Sequence, residues 1–554
     1  MCLTPPDPLH WKSESLTLRA DGVFGVGWLF HEQQSVAELR LELRFTAGDS
    51  PCVLAVEHQR PRPDVGDAFP ALAQAARSGY LVYGPCAGDW QAVSAIFLCG
   101  RLADGSDFER EIPPDHWRHG GAAAAPAATV RALWRQAGVL FGRGMYLLRQ
   151  RQFRRLLDGA RRYLSGRRAR AVTDVDAVCA LLSGPERVRV DLVFDHDLGG
   201  GANQYRRRMV AERVAQGTTV LVASYHVGTL SHLLTVHTGR FERRLAVPDL
   251  EFVRELVLRL GLHEIVYNTA VSFVRPERVP PLLVELKARG AARLLLLVHD
   301  FYMACPSHFL LNAQGVYCGV PDEAVCRRCL PANQQGFAAL FAAHDIGQWR
   351  ALWGMALAAA DEIRAFSGNS RQLLRRAYPQ LDEARITLLP HQPAPLPAAA
   401  RQLVLPSQRA VLRIGVVGHI GHPKGAQVVA ALSREIARRR LEVAIVVIGT
   451  IEAAGAPSVL RATGSYRHEQ LPALIAEAGV NVMLFPSIVP ETFSYVVQEL
   501  MELNLPVACF DLGAPAERLA AYDKGRVLDT TEAAPLLDAL LAFHRDLYPD
   551  QAGR

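Results

Sequence analysis

An α/β architecture is predicted for most of this 554-residue chain: two successive doubly wound domains, preceded by an all-β sandwich and a basic helical connector. Three observations predict it. From Val188 onward, short runs rich in Val, Ile and Leu alternate with helical segments, the pattern of strand–helix units that close into parallel sheets. The stretch Pro390–Pro406 holds five prolines and divides that pattern in two, as an interdomain linker would. Residues 16–113 instead carry period-two patterning broken by turn residues. The domain boundaries read as 1–119, 120–186, 187–395 and 396–554.

The all-β reading rests first on Leu39–Phe45, where apolar and charged residues alternate strictly. Successive side chains of a strand face opposite sides, so such a run is half-buried. Val53–Val56 and Ala95–Cys99 are further strand candidates, separated by Ala47-Gly48-Asp49 and Asp104-Gly105 turns. A small sandwich closes such strands. Trp28 and Arg62-Pro63-Asp64-Val65 are read as a core tryptophan and a turn in preference to a carbohydrate-binding surface.

The connector begins with the Ala/Gly/Pro segment 120–128 and continues into Arg131–Arg170, which holds twelve Arg and one acid, Asp158. That segment is at +11 and the remainder of the chain at −5, so the net +6 is local. Leu133, Leu140 and Leu147, then Phe153, Leu157, Ala160 and Leu164, set one apolar stripe on an Arg-rich helix. Two readings stay open: peripheral contact with an anionic membrane face, or packing on the next domain with solvated Arg. No groove-reading motif accompanies the charge, so nucleic acid is not expected as a partner. Met1–Lys12 lacks the apolar core of a secretory signal, and no apolar run approaches the ~18 residues of a membrane span. A cytoplasmic location is expected, with contact at the inner membrane face left open.

In the first α/β domain the strand candidates are Val188–Phe194, Thr219–Ser224, Glu264–Asn268 and Arg293–Val298; in the second, Ile414–Val417, Val443–Ile448, Val480–Phe485 and Val507–Phe510. Ligands of such sheets sit outside the carboxyl ends of the strands, so the residues that follow them deserve scrutiny.

Pro490-Glu491-Thr492-Phe493-Ser494-Tyr495-Val496-Val497-Gln498-Glu499 follows one of these strands and opens an apolar helix. Free amides at 492–495 would suit a phosphate, with Glu491 and Glu499 about two turns apart on roughly one face. Gly418-His419-Ile420-Gly421-His422-Pro423-Lys424-Gly425 follows the domain's first strand, and Lys424 supplies a point charge beside a glycine-rich turn. Gly199-Gly200-Gly201 follows the strand ending at Phe194; it is not a dinucleotide fingerprint. His299 and Asp300 end the strand Leu294–Val298. No Asp-x-Asp metal motif stands after a strand, and no P-loop appears.

These residues resemble the retaining family-four glycosyltransferases of the GT-B fold, including bacterial polysaccharide and O-antigen enzymes. Glu491 and Glu499 match the family's E-x7-E pair, and Ser487–Glu491 through Asn504–Arg518 resembles its run from donor site to next strand. The resemblance covers about Val188–Asp529 and implies transfer of a hexose from a nucleotide-diphosphate sugar to a saccharide or lipid-linked saccharide acceptor. It implies that Glu491 contacts the donor sugar, Glu499 the ribose and His299 the sugar, and that Gly199–Gly201 line the acceptor side. Lys424 would neutralise the departing diphosphate, but His419 stands where the family has Arg. No catalytic cofactor is expected. Two alternatives are a nucleotide-sugar epimerase of the same fold and a catalytically degenerate glycan- or nucleotide-binding scaffold.

Cys305-x12-Cys318-x7-Cys326-x2-Cys329 is the remaining cluster. Its closing C-x-x-C and the surrounding Gly and Pro turns fit a knuckle holding one structural Zn²⁺, read ahead of four unpaired buried thiols. The other six cysteines are scattered and read as small buried hydrophobes.

Overall fold

The computed structural model describes residues 8–19, 22–46, 50–86, 89–119, 169–182, 189–290, 292–393, 396 and 411–549. The Arg-rich segment and most of the proline-bearing linker lie outside the described residues. The chain divides into two compact units, Met1–Leu295 with Leu330–Ala360, and Leu296–Cys329 with Asp361–Arg554. Among the described residues no helix is long and apolar enough to cross a membrane.

The first unit opens with two sheets. One carries Glu57–Arg60, Gly79–Gly84, Gly22–His31, Leu9–Arg19 and Trp117–His119 in that order, and the other Cys52–Ala55, Val36–Phe45, Val93–Leu102 and Asp107–Glu111. Leu39, Leu41, Leu43 and Phe45 are buried, with Arg40 exposed and Glu42 and Arg44 half-buried between them. These inward residues form one cluster with Leu16, Leu18, Val82, Ile96 and Leu98 from both sheets. Trp28 packs against a small cluster of Phe30, Val65 and Ala75, and Arg62 is buried with Glu14 and Asp64 as ion-pair partners.

The α/β part of this unit sets Val190–Phe194 parallel to Thr219–His226 on one side and to Glu264–Tyr267 on the other. Its sheet is not parallel throughout. Ser231–His237 pairs antiparallel with Thr219–His226, and Glu242–Val247 pairs antiparallel with Ser231–His237. The helix expected between Ser224 and Glu264 is present as Leu250–Leu260, but the two added strands precede it, reached by two tight connections that turn the chain back. Leu230 adopts the left-handed conformation at φ 48°. The Thr238 hydroxyl accepts from the amides of Arg240 and Phe241, a local side-chain turn that competes with helix.

The second unit contains a sheet of six parallel strands in the spatial order Leu460–Ala462, Ala444–Ile451, Arg413–Ile420, Val482–Phe485, Val507–Phe510 and Gly525–Leu528. In chain order this is 3-2-1-4-5-6, a doubly wound sheet whose direction of winding reverses between Arg413–Ile420 and Val482–Phe485. The four expected strands are present, and the short first and last strands of the sheet are additional. Val482–Phe485 is buried throughout, as a central strand covered on both faces must be. One face packs on helices Ala426–Arg439 and Ala533–Leu547, the other on Leu471–Ala478, Tyr495–Glu502 and Gly513–Ala520.

Candidate functional site

The point where the strand order reverses leaves a crevice at the carboxyl ends of Arg413–Ile420 and Val482–Phe485, because the following helices depart to opposite faces. The loops that line it are the two selected from sequence, 418–425 and 486–494. Ile488 N donates to Pro423 O at 3.1 Å, and Ser487 Oγ donates to the same carbonyl at 3.4 Å, so the loops are tied by backbone. Lys424 Nζ forms an ion pair with Glu491 across them, the lysine side chain 44% exposed and the glutamate 15%. An ammonium group at a surface and a carboxylate in a recess are thus held at one spot.

The helix itself is Tyr495–Glu502, with Ser494 as its N-cap. Ser494 sits at φ 70°, and its hydroxyl accepts from Val497 N at 3.4 Å. The helix therefore starts three residues later than the expected first amide at 492. Thr492 and Phe493 belong to the turn before the cap, and among the described residues their amides donate to no acceptor. Glu491 is likewise in the turn, so the two-turn spacing to Glu499 does not put the two acids on one helical face. Glu491 pairs with Lys424, whereas Glu499 accepts from His468 Nε2 at 2.7 Å. His468 was missed by sequence reading; it opens the short 3-10 helix His468–Gln470, with no spacing to mark it.

His419, at the position expected to hold Arg, is bound through Nδ1 to Thr450 Oγ1 at 2.7 Å and through Nε2 to Glu452 at 3.0 Å. Both partners end the neighbouring strand Ala444–Ile451 or follow it. Gly418 lies in register with Gly449 on the same strand pair, at φ 119°. His422 Nε2 donates to Gly315 O at 3.0 Å, which anchors this loop on the cysteine-bearing segment.

His299 is brought to the same region. Thr492 Oγ1 donates to its carbonyl at 3.1 Å, and its ring stacks on Phe366 at 4.5 Å. His391 completes the cluster: its ring lies 5.2 Å from His299, stacks on Phe493 at 4.6 Å and shares a 3.0 Å hydrogen bond with Tyr495 Oη. Burial, aided by the Arg518 charge, pushes the His391 pKa down to about 3. Arg518 lies over the other aromatic partner, 4.6 Å from the Phe493 ring, and donates to the carbonyls of Phe493 and Ser494 at 3.3 Å each. With those carbonyls held on one side, the turn's amides are oriented without help from a longer helix. Neither His391 nor Arg518 was singled out from sequence, because His391 falls inside the proline-bearing stretch and Arg518 sits twenty-four residues after Ser494.

A consequence of the buried imidazole is testable. In the unfolded chain His391 takes a proton near its ordinary 6.5, whereas the folded protein keeps it neutral to about 3. The unfolded state therefore binds more protons in that window, and stability is expected to fall as the pH drops from 6.5 towards 3, by up to about 1.4 kcal/mol per pH unit. Urea denaturation across that range should show a shallower dependence in His391→Asn than in the native chain. Equal slopes would remove His391 as the source.

The glycine loop of the first unit is held firmly. Gly199 and Gly200 have φ of 89° and 88°, and Gly201 begins the helix Gly201–Ala215. Gly199 N donates to Asn203 Oδ1 at 2.6 Å; Asn203 in turn donates to Asp195, which Arg206 and Asn268 also engage. Asp195 is fully buried, so this network fixes the loop.

Of the four clustered cysteines, Cys318 has its pKa raised, first by burial and also by the charges of Cys326 and Cys329. Cys326 Sγ lies 3.6 Å from Pro321 O. Among the described residues, however, no group of three or more His, Cys, Asp or Glu side chains is placed to hold a metal ion. Cys305, Cys318, Cys326 and Cys329 all lie in the Leu296–Cys329 segment of the second unit.

A search of curated protein sequences finds no match. Among solved structures, Anabaena HepE in complex with UDP-glucose is 14% identical, covering 66% of this chain and 92% of its own, with a TM-score of 0.43. A glycosyltransferase from Rickettsia africae is 11% identical over 66% and 91% of the two chains, with a TM-score of 0.40. The catalytic domain of starch synthase IV from Arabidopsis thaliana, bound to ADP and acarbose, is 12% identical over 66% and 95%, with a TM-score of 0.36. Residues 405–548, which contain Lys424, Glu491, Glu499 and the reversal point of the sheet, match the family described as glycosyl transferases group 1. The chain therefore carries a glycosyltransferase group 1 domain, and its enzyme class is glycosyltransferase.

Proposed function

We propose that the chain is a retaining glycosyltransferase of the GT-B type that moves a hexose from a nucleotide-diphosphate sugar to a saccharide acceptor in surface polysaccharide synthesis. The observation that carries the reading is the Lys424–Glu491 pair at the sheet's reversal point, beside the unengaged amides of Thr492 and Phe493. As the glycosidic bond to the diphosphate breaks, negative charge grows on the leaving oxygen. Lys424 and the turn's amides are aimed where that charge develops and need little rearrangement to meet it. Transfer of Lys424 from Glu491 to the diphosphate would leave Glu491 to accept from a sugar hydroxyl. Glu499, oriented by His468, is suited to the ribose hydroxyls, and His299 to the sugar. His419 is engaged with Thr450 and Glu452, so the charge that Arg would have supplied falls more heavily on Lys424.

Proton NMR of the product formed from a panel of α-linked UDP-, GDP- and ADP-hexoses tests this directly. A product with an α anomeric centre is expected from the accepted donor. A β product would overturn retention, and an altered free sugar nucleotide in the absence of acceptor would favour the epimerase. If nucleotides and sugar nucleotides raise the melting temperature but no donor is turned over with any saccharide, the degenerate scaffold is the better reading.

A further inference from the structure

The first unit holds a cavity of about 410 Å³ where its sheet-rich N-terminal part meets the carboxyl edge of the α/β strands. Arg19 and Trp90 come from the former; Leu250, Phe273, Arg275 and Arg278 come from the latter. The volume is that of a small-molecule site.

Three arginines, Arg19, Arg275 and Arg278, stand on its wall. Several arginines elsewhere, among them Arg62, Arg206, Arg213, Arg254 and Arg439, are paired with carboxylates. Among the described residues, none of the three cavity arginines has an ion-pair partner. Among the described residues, Arg19 Nε is buried with no hydrogen-bond acceptor; Arg275 donates to the Cys86 carbonyl at 3.5 Å, and the Glu277 carboxylate acts on Arg275 and Arg278 through its charge without forming an ion pair. The acid on the lining, Asp249, caps the following helix by accepting from Phe252 N at 2.9 Å. Guanidinium groups without an ion-pair partner beside a partly apolar wall call for an oxyanion that offers two oxygens to their forked donors. Trp90 and Leu250, both half-buried, offer the C–H face of a ring somewhere to lie.

We infer that this cavity binds a pyranoside carrying an oxyanion, either phosphate or carboxylate. Binding follows from the cavity alone; its use as an acceptor subsite rests on the transferase reading above.

Isothermal titration of the full chain with glucose 6-phosphate, glucuronic acid and methyl glucoside tests it, with UDP as a separate ligand. At least one charged sugar is expected to bind tenfold or more tightly than methyl glucoside, and the one preferred identifies the oxyanion. Arg275→Gln and Arg278→Gln are each expected to weaken that sugar about tenfold, as loss of a charge-assisted hydrogen bond does, and to leave UDP binding unchanged. Arg278 is exposed, so its substitution carries little folding risk. Equal binding of charged and neutral sugars, or full affinity in both variants, overturns the inference. Charged-sugar binding without any nucleotide binding would overturn the transferase reading and leave this one standing.

Discussion

Glu491→Ala is expected to lower the rate of sugar transfer by about a hundredfold or more while the protein stays folded. The carboxylate is recessed at the reversal point and engages Lys424, the cation proposed to meet the diphosphate. Removing a group placed against developing charge or a reacting sugar costs about 10² to 10³ in kcat. The structural cost is small by comparison. Lys424 is 44% exposed, so it regains water when its partner is lost, and an ion pair at such a surface contributes about 0–1 kcal/mol. Lys424→Met should be similarly inactive. Because the two groups touch, the double variant should lose less than the sum of both losses. Steady-state kinetics with the accepted donor, beside a melting curve, checks each point. A Glu491→Ala enzyme within threefold of native kcat would exclude the carboxylate from the reaction.

Gly513→Ala is expected to damage both stability and turnover, although residue 513 contributes no functional group. Gly513 has φ 65°, and a methyl group there would lie 2.5 Å from the carbonyl oxygen and 2.6 Å from the amide nitrogen of Glu491. Both obstacles are backbone, and Ala514 N donates to the same Glu491 carbonyl at 2.8 Å. The strain cannot be relieved by a rotamer change, so the turn bearing Glu491 must move. A stability loss of about 2 kcal/mol or more follows from the left-handed conformation plus the overlap. On the proposed function, displacement of the turn bearing Glu491 by about 1 Å is enough to cost about a hundredfold in rate. Gly217→Ala is the control, since it also has positive φ, 82°, but nothing within 4 Å. It should lose about 1 kcal/mol at most and keep its turnover. If Gly513→Ala behaves like that control, the close approach at Glu491 does not constrain the site.

The sequence by itself determined what local periodicity and strand-end chemistry encode. The alternation of Leu39–Phe45 specified a half-buried strand, because inward and outward residues obey different solvation rules. The four apolar runs of the C-terminal domain specified buried parallel strands, and the position of Glu491 and Lys424 just after two of them marked the candidate site. Only the tertiary structure decided which strands become neighbours. Spatial order 3-2-1-4-5-6 puts the loops after strands one and four together, and no residue spacing contains that information. The same holds for His468 on Glu499, His391 against Phe493, and Arg518 beneath the turn. The Ser231–Val247 hairpins lay beyond periodicity as well, being closed by a left-handed Leu230 and one Thr238 hydroxyl. Local preference is written in adjacent residues, whereas a site is assembled by long-range packing, which brings together side chains that share no pattern along the chain.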